Sequence, residues 1–401
     1  MSLKNETKDA LGQTKLFYRE YTTGMSREQF EKDLQSDTKR LKSLYKEAIG
    51  SDVDEDGVPV PATTKFFRLI SALTGRMNPT RRLVFSLSIL GFASSFIFTG
   101  LFFTLIHPLS FVAIVAILML ELLEKLDVKK EIDLAKDIQI SLLPSPDIEV
   151  DNLEINSFAN TANEVGGDYV DVITTEKGTY YIIADVSGKG LSAALYMVRM
   201  QALVHLLITN LNPTPKQLFL ELNDFIKSYR TDKTFITACA AFFPKDEDYF
   251  LYSRAGHNPP VLYKKATDST SLLQTTGFAL GMTRTDRLKN FLKEVKIPFE
   301  TGDSILFYTD GLTEARNEAG DEFGTERTRS LMDIYGSLDA KVINKKIQAS
   351  LENFIGDMPT TDDITYSCIR KLKSNVVVKP ELAKETDTTE VENETQPLPE
   401  A

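Results

Sequence analysis

The chain is poor in the side chains that build soft-metal sites and covalent cross-links. Its 401 residues include only two cysteines, Cys239 and Cys368, and three histidines. Two cysteines cannot form a disulfide framework or a thiolate zinc site, so a reducing compartment is the simpler interpretation. The scarcity of histidine also disfavours a two-metal nuclease or nucleotide phosphodiesterase with a histidine-rich site.

Positive charge is in short supply as well. The sequence carries 46 Lys and Arg against 57 Asp and Glu, a formal net charge of -11. A nucleic-acid-binding face needs clustered basic residues. The composition therefore predicts that the protein has no nucleic-acid partner.

Charge of either sign is missing from one long segment. Residues 83–120 contain no Asp, Glu, Lys or Arg. One helix of this length would extend about 57 Å, against roughly 30 Å of hydrocarbon, so two transmembrane spans are predicted within 83–126. Because Pro suits the first turn of a new helix, the turn is predicted near His107 and Pro108. A single span and a buried soluble hairpin are the alternatives.

Basic residues flank this predicted hairpin on both sides. They are Lys65, Arg68, Arg76, Arg81 and Arg82 before it, and Lys125, Lys129 and Lys130 after it. Basic flanks mark the cytoplasmic side, so both ends of the hairpin are predicted to lie in the cytoplasm. This predicts a two-span protein of the cytoplasmic (inner) membrane whose C-terminal domain is cytoplasmic.

Segments of different composition surround the hairpin. Residues 1–82 form a polar, partly helical N-terminal cytoplasmic region, and residues 375–401 form an acidic tail that is predicted to be disordered. Residues 121–143 are predicted to form a linker helix that ends before Pro144. This helix either joins two protomers as a short coiled coil, giving a homodimer, or packs on its own domain.

Residues 148–372 are predicted to form a separate domain. Strand-like runs follow one another through short turns, with helical segments between some of them. This pattern favours antiparallel sheets with helices outside. The predicted fold class is α+β, an antiparallel β-sandwich flanked by helices and preceded by the transmembrane hairpin and the linker helix.

Five aspartates stand at the ends of apolar runs in this domain. They are Asp168, Asp185, Asp310, Asp362 and Asp363. Strands that bring carboxylates together from distant parts of a sequence can bind a hard divalent cation such as Mg²⁺ or Mn²⁺. Two such ions can hold a nucleophilic water and clamp a phosphoryl group. The pattern therefore predicts metal-assisted hydrolysis of phosphate.

Two further side chains could contact a phosphate group. Lys189 follows Asp185 closely and either attracts phosphate or is a solvated loop cation. His257, in the segment AGHNPP, could act as a general acid or a substrate contact. In such a tight turn it could instead satisfy backbone groups.

A series of short segments in this domain occurs in a characteristic order. They are EVGGDYVD, ADVSGKGLSAAL, FITACAAFF, AGHNPPVLY, the GxxxG turn from Gly277 to Gly281, GDSILFYTDGLTEARN, DEFG and DDIT. In this order they resemble the PPM-type (protein phosphatase 2C-like) serine/threonine phosphatases of the SpoIIE/RsbU branch. The resemblance covers roughly residues 131–372.

The resemblance implies a two-sheet sandwich, a binuclear Mg²⁺ or Mn²⁺ centre, and hydrolysis of phosphoserine or phosphothreonine. Asp185 looks like the bridging ligand, with the backbone carbonyl of Val186 beside it. Asp168 and Asp310 correspond to further acidic ligands.

The fourth acidic ligand comes from the DDIT segment. Asp362 stands where the wider superfamily has its ligand, and Asp363, at the position of an Asn, is the second choice. Gly167 stands where many eukaryotic members carry Glu, a departure that this branch shares. The arginine that grips phosphate in eukaryotic members has no obvious counterpart here.

These features together predict a membrane-tethered phosphatase in which a metal-activated water attacks the phosphorylated side chain directly. The branch implies that the phosphoprotein substrate is an anti-sigma antagonist of the STAS type, with regulation through the linker helix. The alternative is a catalytically idle membrane scaffold that binds phosphorylated partner proteins, which would be expected to have lost a ligand.

Overall fold

The computed structural model describes residues 60–75, 77–97, 100–229 and 234–373, together with Thr38. The chain divides into two compact units, one ending at Val128 and the other beginning at Lys129. Most of the polar region predicted at 1–82 and nearly all of the predicted acidic tail lie outside the described residues, and both stay predictions.

The N-terminal unit is helical where it is described. Its helices are α1 (Ala62–Thr74), α2 (Pro79–Ile97) and the first part of α3 (Leu101–Leu142). Arg81 Nη1 lies 3.1 Å from Glu121 Oε1, and the Phe92 ring stacks on His107 with 4.4 Å between ring centroids. The start of α2 therefore lies beside the middle of α3, and the two helices run antiparallel.

The turn between these helices is not where the sequence pattern placed it. The prediction of a turn at His107 and Pro108 is wrong, because both residues lie inside α3 and the turn falls between Ile97 and Leu101. Gly100 has a φ of 144°, a conformation that glycine adopts without steric cost. Pro108 costs α3 one backbone hydrogen bond but does not end it.

Large apolar side chains cover the surface of α2 and α3. Their exposed fractions are 60 to 72% at Leu83, Leu87, Leu90, Phe96, Leu105 and Leu109. Within the part of α3 from Thr104, an 18-residue stretch has a mean hydropathy of 2.2, and this part of the helix is long and apolar enough to cross a membrane. A helix at Leu191–Leu211 passes the same test of length and composition, but it packs in the core of the second unit.

The second unit contains two antiparallel sheets. The strands are β1 (Asp147–Val150), β2 (Leu153–Asn160), β3 (Asp168–Thr175), β4 (Gly178–Val186), β5 (Ile236–Pro244), β6 (Tyr249–Ala255), β7 (Val261–Lys264), β8 (Ser269–Leu272), β9 (Glu294–Pro298), β10 (Ser304–Tyr308) and β11 (Ile364–Lys371). One sheet has the strand order β1-β2-β11-β10-β7-β8 and the other β3-β4-β5-β6-β9.

Helices cover the outer faces of both sheets. The helices of this unit are α4 (Leu191–Leu211), α5 (Pro215–Tyr229), α6 (Thr285–Phe291), α7 (Asp310–Thr313), α8 (Gly324–Tyr335) and α9 (Ala340–Ile355). Helices α4 and α5 pack on the sheet that contains β3 and β4, and α8 and α9 pack on the sheet that contains β2 and β11.

Both faces of the central strands are buried, which explains their continuous apolar sequence. In β4, Tyr180 and Ile182 belong to the core beneath α4 and α5. Tyr181 and Ile183, which point the opposite way, belong to the core between the two sheets. The predicted α+β sandwich flanked by helices is confirmed.

Strand β3 shows why part of the sandwich escaped the sequence analysis. It was not among the predicted strands, since Asp168 and Asp171 interrupt its apolar pattern. The buried Asp171 carboxylate is satisfied by the Tyr169 hydroxyl at 2.8 Å and by His205 Nε2 at 2.7 Å. A buried charge with partners of this kind is tolerated inside a strand.

Candidate active site

The predicted acidic residues meet at one edge of the sandwich. Asp168 opens β3 and pairs directly with Asp185 near the end of β4. Asp310 follows β10, and Asp362 precedes β11, the antiparallel partner of β10. Antiparallel pairing thus brings together carboxylates at the starts of two strands and the ends of two others. The expectation that the aspartates stand at the ends of apolar runs was wrong for Asp168, Asp362 and Asp363, which stand at or just before the start of a strand.

A threonine joins the two sheets at this edge. The Thr309 hydroxyl donates to Asp168 Oδ2 at 2.9 Å and accepts the Thr365 backbone N–H at 3.1 Å. The Thr309 backbone N–H in turn donates to the Thr365 carbonyl at 2.9 Å. The sequence analysis did not single out Thr309, although it directly precedes Asp310. Its bonds fix the orientation of the buried Asp168 carboxylate.

Burial and the charges of neighbouring carboxylates raise the pKa values of Asp168, Asp185 and Asp310. Burial, followed by the charge of Asp185, holds the pKa of Asp168 well above its usual range. Burial and the charges of Asp310, Asp362 and Asp363 raise the pKa of Asp185 from 3.8 to about 7. The pKa of Asp310 is also raised, by burial and then by Asp362. The site therefore concentrates negative charge that a cation would stabilise.

The two acidic residues of the DDIT segment have different partners. Asp363 Oδ1 accepts the Ala162 backbone N–H at 2.8 Å, and Oδ2 accepts the Gly167 N–H at 2.7 Å. Asp362 Oδ2 instead accepts a hydrogen bond from Lys189 Nζ at 2.8 Å. Asp363 thus anchors the backbone before β3, which makes Asp362 the better candidate ligand.

The end of α3 also holds the backbone before β3. Gln139 is buried, and its Nε2 donates to the Gly166 carbonyl at 2.7 Å while its Oε1 accepts the Gly166 N–H at 3.0 Å. One side chain therefore satisfies both backbone groups of a glycine two residues before Asp168.

Replacing Gln139 by Leu is expected to destabilise the chain by about 2 kcal/mol, because it leaves two buried backbone groups unpaired. Urea unfolding of the full chain in detergent measures this loss. The matched control is Gln348→Leu, since Gln348 bonds only the exposed Glu352. It should change the free energy of unfolding by less than about 0.5 kcal/mol. Equal losses in the two variants would contradict the anchoring role of Gln139.

The two candidate phosphate contacts lie in different environments. Lys189 is at the mouth of the site, with 54% of its side chain exposed. His257 is buried, its Nδ1 is 2.8 Å from Thr237 Oγ1, and burial lowers its pKa to about 3. The burial of His257 therefore favours the alternative of a structural role over the predicted substrate contact, because an enclosed ring cannot reach a phosphate on another protein.

The donor chemistry of the site fits a hard divalent cation, since the side chains offered are carboxylates. A Cβ at Gly167 would stand 3.0 Å from the Val186 carbonyl oxygen, so glycine leaves this oxygen room. Yet in the described ranges no three acidic, histidine or cysteine side chains gather closely enough to hold an ion.

Comparison with known proteins identifies the domain. Residues 175–372 match the family model described as Stage II sporulation protein E (SpoIIE). The chain is 29% identical over 248 residues to phosphoserine phosphatase RsbU of Bacillus subtilis, covering 61% of this chain and 71% of that protein. It is 28% identical over 195 residues to phosphoserine phosphatase RsbP of the same organism, covering 47% of each chain.

A solved structure shows the same fold. The SiaA-PP2C domain of Pseudomonas aeruginosa superposes with a TM-score of 0.54 at 19% identity, covering 62% of this chain and 98% of that one. The family match and the two phosphoserine phosphatase relatives give the class of this domain, which is that of PPM-type protein serine/threonine phosphatases. Within that class, residues 175–372 match the SpoIIE/RsbU branch, as the motifs predicted.

Proposed function

We propose that this protein is a membrane-tethered, metal-dependent phosphatase that hydrolyses phosphoserine or phosphothreonine in a regulatory partner protein. The observation that carries this proposal is the convergence of four carboxylates, Asp168, Asp185, Asp310 and Asp362, at one edge of the sandwich. The names of the RsbU and RsbP relatives, both phosphoserine phosphatases, support the substrate class. The proposed partner is an anti-sigma antagonist of the STAS type.

Two divalent cations, Mg²⁺ or Mn²⁺, are the proposed cofactors. Asp168, Asp185, Asp310 and Asp362 would hold them together with the carbonyl of Val186. When bound, such ions supply a water of lowered pKa as nucleophile and neutralise charge on the phosphoryl oxygens.

The remaining tasks fall to side chains of the chain itself. Thr309 keeps the Asp168 carboxylate in one orientation through its hydrogen bond. Lys189 offers an ammonium group at the mouth of the site, where it can donate to phosphate oxygens. The partner's phosphorylated side chain would enter past Lys189.

The N-terminal unit supports the membrane part of the proposal. The exposed apolar side chains of α2 and α3 need an apolar environment, which a bilayer supplies. Basic residues on both flanks support a two-span hairpin with both ends in the cytoplasm.

The part of α3 in the second unit supports a homodimer joined through the linker helix. Leu134 and Ile138 lie four residues apart on one helical face and are 61% and 51% exposed. A second copy of the same face could cover them, as in a short coiled coil.

Metal dependence is the test of this function. The full chain, purified in detergent, is expected to hydrolyse p-nitrophenyl phosphate with Mn²⁺ or Mg²⁺, to lose turnover with a chelator, and to regain it with excess Mn²⁺. Turnover that persists in chelator would contradict the proposed chemistry. Binding of a phosphorylated partner without any turnover would favour the idle scaffold instead.

A further inference from the structure

The ammonium group of Lys189 occupies the mouth of the acidic site. Its Nζ lies 2.8 Å from Asp362 Oδ2 and 2.7 Å from the Thr361 carbonyl oxygen. The Lys189 and Asp362 side chains are 54% and 39% exposed, so other ions can reach both groups. This contact joins the loop after β4 to the segment before β11.

The backbone around Lys189 permits the side chain to leave this position. Gly188 and Gly190 have φ angles of 105° and 70°, and a Cβ built on either would meet no atom within 4 Å. Glycine passes between such conformations at little steric cost. The loop can therefore move its lysine without displacing packed neighbours.

Of the neighbouring residues Asp362 and Asp363, only Asp362 has a carboxylate oxygen whose hydrogen-bond partner is a movable side chain. Asp363 holds two backbone N–H groups, which stay where the chain places them. Asp362 accepts the Asp363 N–H at 3.0 Å through Oδ1, while Oδ2 is bound to Lys189. Asp362 Oδ2 loses this partner whenever Lys189 binds another anion instead.

Charge balance favours such an exchange. The Asp362 charge raises the pKa values of Asp185 and Asp310, whereas Lys189 lowers both. Lys189 thus offsets part of the repulsion among the carboxylates. A divalent cation would offset more of it and would compete for the same Asp362 oxygen.

We infer that Lys189 is an exchangeable counter-cation, which holds Asp362 in the cation-free protein, yields this carboxylate to a divalent cation, and then donates to the phosphate of the substrate. The inference rests on the proposed phosphatase function.

The first test measures the affinity of the full chain in detergent for Mn²⁺ alone by calorimetry. Lys189→Met should bind Mn²⁺ about fivefold more tightly, the scale of a partly exposed ion pair. The control is Arg316→Met, since Arg316 lines the same recess as Asp362 but bonds Glu322 at 2.6 Å. It should shift the affinity by less than about twofold.

A double-variant cycle distinguishes competition between Lys189 and the cation for Asp362 from a general effect of removing one positive charge near the site. In an Asp362→Asn background, Lys189→Met should no longer tighten Mn²⁺ binding. An unchanged or weaker affinity of the single variant would overturn the inference. So would an equal gain in Arg316→Met, or a gain that persists beside Asp362→Asn.

The second test concerns the phosphate. Lys189→Met should raise KM for p-nitrophenyl phosphate about tenfold with a smaller change in kcat, and Lys189→Arg should recover part of this loss. An unchanged KM would overturn the phosphate-binding step. If the variants show the expected changes in Mn²⁺ affinity but the wild-type chain shows no turnover, the proposed function fails and the exchange of Lys189 for the cation is upheld.

Discussion

Replacing Asp185 by Asn is expected to lower the rate of p-nitrophenyl phosphate hydrolysis about a thousandfold while the chain stays folded. Asp185 pairs across the sheet with Asp168 and lies in the electrostatic field of Asp310 and Asp362. Of the predicted ligands it therefore has the most central position. A bound ion stabilises the transition state by several kcal/mol, and each 1.4 kcal/mol corresponds to about a tenfold rate. Turnover at saturating Mn²⁺ measures the loss, and circular dichroism reports the fold.

The control for this variant is Asp286→Asn in α6. The side chain of Asp286 is 92% exposed and only faces Arg284 at 3.8 Å, so its loss should change turnover by less than about twofold. Asp310→Asn should behave like Asp185→Asn, because both remove a carboxylate from the same cluster. Full activity in Asp185→Asn with Mn²⁺ bound would refute the assignment of this carboxylate as a ligand.

In the presence of a chelator, the free energy of unfolding is expected to fall as the pH rises from about 5 to 7.5. The folded chain holds the Asp185 proton more tightly than the unfolded chain does, since its pKa is about 7 in the fold against an ordinary value of 3.8. The folded state therefore binds more protons in this window, and stability decreases with pH until Asp185 is fully ionised. The two pKa values set an upper limit of about 4 kcal/mol on this loss. Urea unfolding at several pH values measures the slope.

Asp185→Asn supplies the control for this pH dependence. The variant removes the titrating group and should flatten most of the slope, leaving the part due to Asp168 and Asp310, whose pKa values are also raised. Adding Mn²⁺ to the wild-type chain at pH 7.5 should restore stability, because an ion that binds only the folded state shifts the equilibrium towards it. Stability that rises with pH equally in both proteins would show that Asp185 is not held in a repulsive field.

Much of the sandwich was predictable because its strands are buried on both faces. Strand β4 reads as an uninterrupted apolar run, and several other strands and the main helices were located from similar runs. The prediction of strands from apolar runs failed where a buried strand contains acidic residues, as β3 does with Asp168 and Asp171. Periodicity cannot show that His205 satisfies that second carboxylate, since His205 lies on α4 and is distant from Asp171 in the chain.

The membrane hairpin shows a different limit. An apolar segment without charged residues gives no internal signal for where its helices end. The turn was therefore predicted at Pro108, because proline often begins a new helix. The structure places the turn at Gly100. Far from this turn, the contact between Arg81 and Glu121 shows the register of α2 against α3. That register depends on a pair of residues far apart in sequence.

The sequence by itself determined the class of the protein, its candidate ligands and the long apolar segment, because these depend on residue types and local order. Only the tertiary structure decided how the acidic residues are used. It directed Asp363 to backbone N–H groups, Asp362 to Lys189 and Thr309 to Asp168, and it enclosed His257 in the core. The physical reason is that burial, hydrogen-bond partners and electrostatic fields arise from elements that are distant in the chain and adjacent only in the fold.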